Sequence, residues 1–206
     1  MKEQNPNNEK VFLTEVISSS SNETLKHIKK LNIKKYREEY KQFIIEGEKI
    51  VLEALNSDCK LDMLVFSESY FHPLLKKAAE MGIRCIRVRE NLFNQLSDTK
   101  SPQGVLAVVH PKIHDLFKII EHETSFLLIL DGIKDPGNLG TMVRTMDAAG
   151  GDGVILLNDC VDPYNPKAVR ATMGSVLRVP VFKVDNTRKI LDTILQAGYH
   201  IVVSDL

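Results

Sequence analysis

Short apolar runs alternate with stretches of helical period along most of the chain. Phe43-Ile44-Ile45 predicts a strand, Glu48 to Leu55 a helix, and Leu61 to Phe66 a second strand. Leu74 to Met81 reads as a helix opened by Pro73, and Ile83 to Val88 as a strand. A short helix around Asn91 to Leu96 leads to a strand at Val105 to Val109, after which His110-Pro111-Lys112 breaks the pattern. Upstream, Ser20-Ser21-Asn22-Glu23 fits a capping box, with Ser at the cap and Glu three residues on. The helix it opens carries Leu25, Ile28, Leu31 and Ile33 as its packing positions.

The pattern resumes with Phe126 to Leu130, a continuous apolar run that predicts a strand buried on both faces. A helix from about Asn138 to Ala149, a strand at Val154 to Leu157 and a helix from Pro166 to about Met173 follow. Then come a strand near Val179 to Lys183, a helix over Thr187 to Gln196 and a strand over Tyr199 to Val203. Regular alternation of strand and helix predicts an α/β protein with a mainly parallel, doubly wound sheet. The expected organisation is a flexible arm at residues 1–19, a small α/β domain at 20–110, a linker at 111–124 and a second α/β domain at 125–206.

Composition narrows the function. The 206 residues are 43% hydrophobic and 26% charged, a globular mixture. Lys+Arg and Asp+Glu both count 27, which excludes a protein that coats nucleic acid by bulk charge. One segment is nevertheless basic: Lys26, His27, Lys29, Lys30, Lys34, Lys35, Arg37 and Lys41 face only Glu23, Glu38 and Glu39. Such a run is either a solvated helix face or a phosphate-contacting stripe. Cys59, Cys85 and Cys160 lie far apart without a C-x-x-C pair, so neither a disulfide framework nor a zinc site is expected. Pro111 breaks the spacing of His110 and His114, and no G-x-S-x-G elbow is present. No apolar run is long enough for a bilayer, and the start, Met1 to Pro6, is polar. A cytoplasmic protein without a membrane partner is expected.

The richest chemistry runs from Asp131 to Thr145. Asp-Pro-Gly-Asn is turn chemistry, with Asn138 a competent N-cap. Leu139, Met142, Val143 and Met146 recur at helical spacing, leaving Thr141, Arg144, Thr145 and Ala148 on the opposite side. Gly140, one turn before Arg144, removes a side chain that would crowd the guanidinium. A cation there, near a helix N-terminus, suits either an incoming phosphate or a rim salt bridge. In a second stretch, Asn165 to Ser175, Asn165 and Pro166 open a helix on which Lys167 and Arg170 share a face.

With these residues the chain resembles the SpoU/TrmH family of RNA ribose 2′-O-methyltransferases, of the knotted SPOUT class. Residues 20–110 resemble its L30e-like RNA substrate-binding domain through Phe43-Ile44-Ile45-Glu46-Gly47, Val51 to Leu55 and Ser101 to Ala107. Asn138 to Thr145 resembles its first motif, and Asn165-Pro166-Lys167 with Arg170 to Ser175 its next characteristic stretch. The resemblance implies methyl transfer from S-adenosylmethionine to an RNA 2′-OH, in rRNA or tRNA. It gives Arg144 and Asn138 catalytic roles, and makes Lys29, Lys30, Lys34, Lys35, Lys167 and Arg170 candidate RNA contacts. The resemblance also implies a homodimer for full-length members. The family's Gly-Asn-Glu turn and Ser-Leu-Asn motif do not occur here. The cofactor-binding segments are therefore expected beyond Leu206, and this chain is expected to be an incomplete knot domain, inactive alone. A non-catalytic, L30e-like binder of structured RNA is the alternative reading.

Overall fold

The computed structural model describes residues 15–122 and 124–204. The chain divides into two units, Met1–Lys112 with Tyr164–Arg170, and Ile113–Pro163 with Ala171–Leu206.

The first unit contains α1 (Glu23–Lys30), α2 (Lys34–Tyr40), β1 (Phe43–Glu46), α3 (Glu48–Leu55), β2 (Leu61–Ser67), α4 (Pro73–Glu80), β3 (Arg84–Val88), α5 (Glu90–Leu96) and β4 (Val105–Val109). Its strands form one sheet in the order β1-β4-β2-β3, with β4 antiparallel to both neighbours and β2 parallel to β3. Every residue of the central strand β4 is buried, as a strand covered on both faces requires. Alternate residues Ile44, Met63, Val65, Ile86, Leu106 and Val108 meet α1 and α5 through Leu25, Ile28, Leu92 and Phe93. At full burial each such side chain contributes about 1.5–3 kcal/mol.

The opening of this unit differs from expectation. Asn22, not Ser20, caps α1: its side chain accepts from the backbone N–H groups of Thr24 (2.9 Å) and Leu25 (3.4 Å). Glu23 thus becomes the first helical residue and pairs with Lys26 at 2.7 Å instead of closing a capping box. The helix breaks after one amphipathic segment, leaving Ile33 exposed. Arg37 leaves the basic face altogether. It is buried and donates to the Leu31 carbonyl at 2.8 Å, satisfying an acceptor freed where α1 ends. Residues 1–14 of the expected arm lie outside the described residues. Ile17, within the arm, is tied to the edge of β3, donating to the Arg87 carbonyl at 2.9 Å and accepting from Arg89 N at 3.2 Å.

The second unit holds α6 (Leu116–Ile120), β5 (Leu127–Asp131), α7 (Pro136–Ala148), β6 (Gly153–Leu157), β7 (Val181–Lys183) and α9 (Thr187–Gln196). Between β6 and β7 the chain forms α8 (Pro166–Ala171) and a 3-10 turn at Ser175–Leu177. The strands are parallel, in the order β5-β6-β7. β6 is buried throughout and its two faces part cleanly. Val154 and Leu156 meet α7, whereas Ile155 and Leu157 meet Ile120, Ile190 and Ile194 of α6 and α9.

Three expectations change here. Among the described residues the run from Phe126 forms an edge strand, not a doubly buried one: Leu127 to Ile129 are half-buried and Phe126 is exposed, and β5 pairs with β6 on one side only. Residues 111–124, expected as a linker, contain α6, whose Ile120 joins the core. Tyr199 to Val203 forms no strand, and Val202 is 93% exposed. Tyr199 still packs on the core of α6 and α9 and donates to the Ile119 carbonyl at 3.3 Å, but residues 200–204 are exposed, and a parallel strand needs cover on both faces.

Candidate functional site

Helix α7 presents the central constellation. Its cap is Asp135, whose carboxylate accepts from Asn138 N at 2.8 Å, with Pro136 at the first helical position. Asn138 is therefore inside the helix, its side chain exposed, and not the cap. The Asp135 carboxylate occupies the positive end of the helix dipole, so that end is already balanced by an anion. Leu139, Val143 and Met146 are buried with Met142 packed against them, while Thr141, Arg144, Thr145 and Ala148 are exposed. The division of faces read from periodicity holds. Gly140 is buried, so it lets α7 pack closely and does not clear room for the guanidinium.

The neighbours of Arg144 are occupied. Thr141 donates to the Gly137 carbonyl and Thr145 to the Thr141 carbonyl, both at 2.9 Å. Asp147, one turn beyond Arg144, accepts from Ser175 Oγ at 2.8 Å and from Arg178 Nε at 3.0 Å, with the Arg178 terminal nitrogen on the same carboxylate. Among the described residues Arg144 has neither ion pair nor hydrogen bond, so the rim salt bridge is not formed. Sequence reasoning missed Asp147 and Arg178. They lie 31 residues apart, and no local spacing signals their pairing.

At the carboxyl ends of the strands, Asn158 donates to Asp131 and accepts from Thr187 Oγ1 at 3.4 Å. Ile133 N lies 3.3 Å from Cys160 Sγ, which in turn reaches the Leu130 carbonyl at 3.4 Å. Lys134 Nζ donates to the Asp159 carbonyl at 2.7 Å. These groups satisfy one another.

The second stretch opens as the sequence indicates, with Asn165 accepting from Lys167 N at 2.9 Å. Tyr164–Arg170 belongs to the first unit, where Tyr164 stacks obliquely on Phe43, centroids 4.7 Å apart. Arg170 pairs with Asp98 at 2.8 Å, so its charge is largely neutralised. Gly174 takes φ 99°, a left-handed conformation that only glycine adopts readily, and the chain then turns to bring Ser175 onto Asp147.

The four lysines differ in their surroundings. Lys29 donates to Gln95 at 3.2 Å and Lys34 lies 3.8 Å from Glu38. Lys30 and Lys35 both lie over the ring of Tyr36, at 5.4 and 5.8 Å from its centroid.

Residues 22–107 match the MRM3-like substrate binding domain, and residues 125–206 match the SpoU rRNA Methylase family. The 23S rRNA (guanosine(2553)-2′-O)-methyltransferase RlmP of Bacillus subtilis is 35% identical over 192 residues, spanning 88% of this chain and 74% of that protein. The chain belongs to the SpoU methylase family. Another relative of this SpoU chain, the mitochondrial rRNA methyltransferase 3 of Xenopus tropicalis, is 33% identical over 84% of the chain, which spans 42% of that longer protein. The AdoMet-bound rRNA methyltransferase of Sinorhizobium meliloti superposes with a TM-score of 0.79 at 34% identity, over 89% of this chain and 69% of that one. AviRb of Streptomyces viridochromogenes, a SpoU methyltransferase also solved with AdoMet, shares the fold with a TM-score of 0.73 at 23% identity. The expected α/β fold of SPOUT class and the expected cofactor of the family agree with these findings. Among the described residues no helix of this SpoU chain is long and apolar enough to cross a membrane.

Proposed function

We propose that this chain carries the RNA-facing half of an rRNA ribose 2′-O-methyltransferase that uses S-adenosylmethionine, with Arg144 as its central side chain. The observation that carries this reading is the unpartnered guanidinium on the exposed face of α7, beside an Asp147 that is already engaged. A guanidinium stays protonated and makes a poor base. It is suited to holding the phosphate next to the target ribose and to stabilising negative charge as it develops on the 2′-oxygen. Asn138, six residues earlier on the same helix and about 9 Å along its axis, offers an amide to the same nucleotide.

At the strand ends Asp131, Asn158 and Thr187 pair with one another. The side chains given roles in this reading act on the RNA. On the first unit, Lys29, Lys30, Lys34 and Lys35 are RNA contacts in this reading, with Lys167 as a further one. Arg170, held by Asp98, contributes least. The free cysteines suit a reducing cytoplasm.

Substitution of Arg144 in a methylation-competent form of the protein tests the reading. Arg144→Ala should lower methyl transfer to rRNA by about 10²–10³-fold, the cost of losing one oxyanion donor. The thermal midpoint should stay within about 2 °C, as for an exposed side chain. Unchanged transfer would refute the assignment.

A further inference from the structure

Of the basic side chains on the first two helices, Lys26 is paired with Glu23, Lys34 with Glu38, and Lys29 with Gln95. Lys30 and Lys35 have no carboxylate within ion-pair distance among the described residues, and both ammonium groups are gathered at one aromatic ring, that of Tyr36. At 5.4 and 5.8 Å from the centroid they are near the outer limit of a cation–π contact and are loosely held. The ring itself is braced: Tyr40, one turn on, stacks with it at 5.9 Å and 20°, and His27 packs on Tyr40 at 4.8 Å. His27 is in turn bonded to Gln42 at 2.7 Å. A braced, part-exposed aromatic ring with two uncompensated cations presents a π surface and charge for two anions.

We propose that Tyr36 is a stacking platform for one unpaired RNA base, with Lys30 and Lys35 taking the phosphates on either side of that nucleotide. The proposal rests on the RNA reading above and goes beyond it. It separates these two lysines from Lys29 and Lys34, and it makes the first unit a reader of single-stranded RNA as well as of backbone charge. The lysines swing from the ring to the phosphates as the base arrives, so each cation exchanges a weak contact for a charge-assisted one. Stacking of this kind tolerates any base, because every base has a π face.

The test uses the whole chain and a short single-stranded oligoribonucleotide carrying one 2-aminopurine, with a blunt RNA duplex of equal length as comparison. Wild type should bind the single strand more tightly than the duplex and quench the probe. Tyr36→Leu should lose the quenching and weaken single-strand binding about fivefold or more. Its duplex affinity should be unchanged, which also shows that the variant is folded. Tyr36→Phe should behave as wild type. Wild type that binds the single strand without quenching, or a Tyr36→Leu variant that binds it undiminished, overturns the platform while leaving the RNA reading intact. Failure of wild type to bind either RNA overturns both.

Discussion

Arg144 and Asp147 stand three residues apart on α7, a spacing at which opposite charges pair across one helical turn, yet Asp147 is held by Arg178 and Ser175. The fork from Arg178 thus has two effects. It fixes the 3-10 turn after Gly174 to the helix, and it engages the carboxylate one turn away from Arg144.

Replacing Arg178 should therefore damage the site from outside it. Arg178→Ala releases Asp147 toward Arg144, and RNA affinity should fall several-fold, with partial recovery in Arg178→Ala/Asp147→Asn. The stability cost should be about 1 kcal/mol, since Arg178 is half-exposed and solvent screens the pair. A double-mutant cycle on affinity and on urea unfolding separates the two effects.

Charge on the first two helices should be visible in salt dependence. Replacing Lys29, Lys30, Lys34 and Lys35 together with Ala should flatten the slope of log affinity against log salt by about 1 to 2, since each phosphate contact contributes about 0.7. The reduction should fall short of four full contacts because Lys34 is shared with Glu38 and Lys29 with Gln95. An unchanged slope would place the RNA surface elsewhere.

The Asp131–Asn158–Thr187 chain across the strand ends bears on the cofactor. Residues 1–206 on their own should give no saturable heat on titration with S-adenosylmethionine at micromolar concentration. A stoichiometric signal would show that this polar chain opens to admit the ligand.

Burial pushes the Cys85 thiol up to about 11, and raises that of Cys59 as well. At pH 8 neither should react with iodoacetamide in the native protein, while both should react in denaturant. A thiol whose ionisation is delayed by folding contributes its stability in full below the ordinary value of 9 and loses it as pH rises toward 11. Thermal midpoints should decline through that window, less so in Cys85→Ser.

The elements legible in the sequence are those whose period is strong and local. The bounds of α3, β4 and α9 agree residue for residue with the apolar pattern, as does the packed stripe Leu139, Val143 and Met146. Caps are less legible, since Asn22 and Asp135 outcompete Ser20 and Asn138 in segments with several good capping residues. The edge position of β5 depends on which strands lie beside it, and composition cannot encode that. The freedom of Arg144 depends on Arg178, a residue beyond β6 and α8 in the chain. Long-range pairing of this kind leaves no periodic trace.

The way the first unit borrows a late segment bears on how the protein is made. Phe43 and Asp98 find their partners in Tyr164 and Arg170, a segment that the chain supplies only after β5, α7 and β6 have been laid down. A nascent chain released at residue 112 would carry its whole four-stranded sheet and still lack these two partners. Synthesis from the N-terminus therefore completes the earlier unit late, once residue 170 has left the ribosome, and an excised N-terminal fragment should melt below the intact protein.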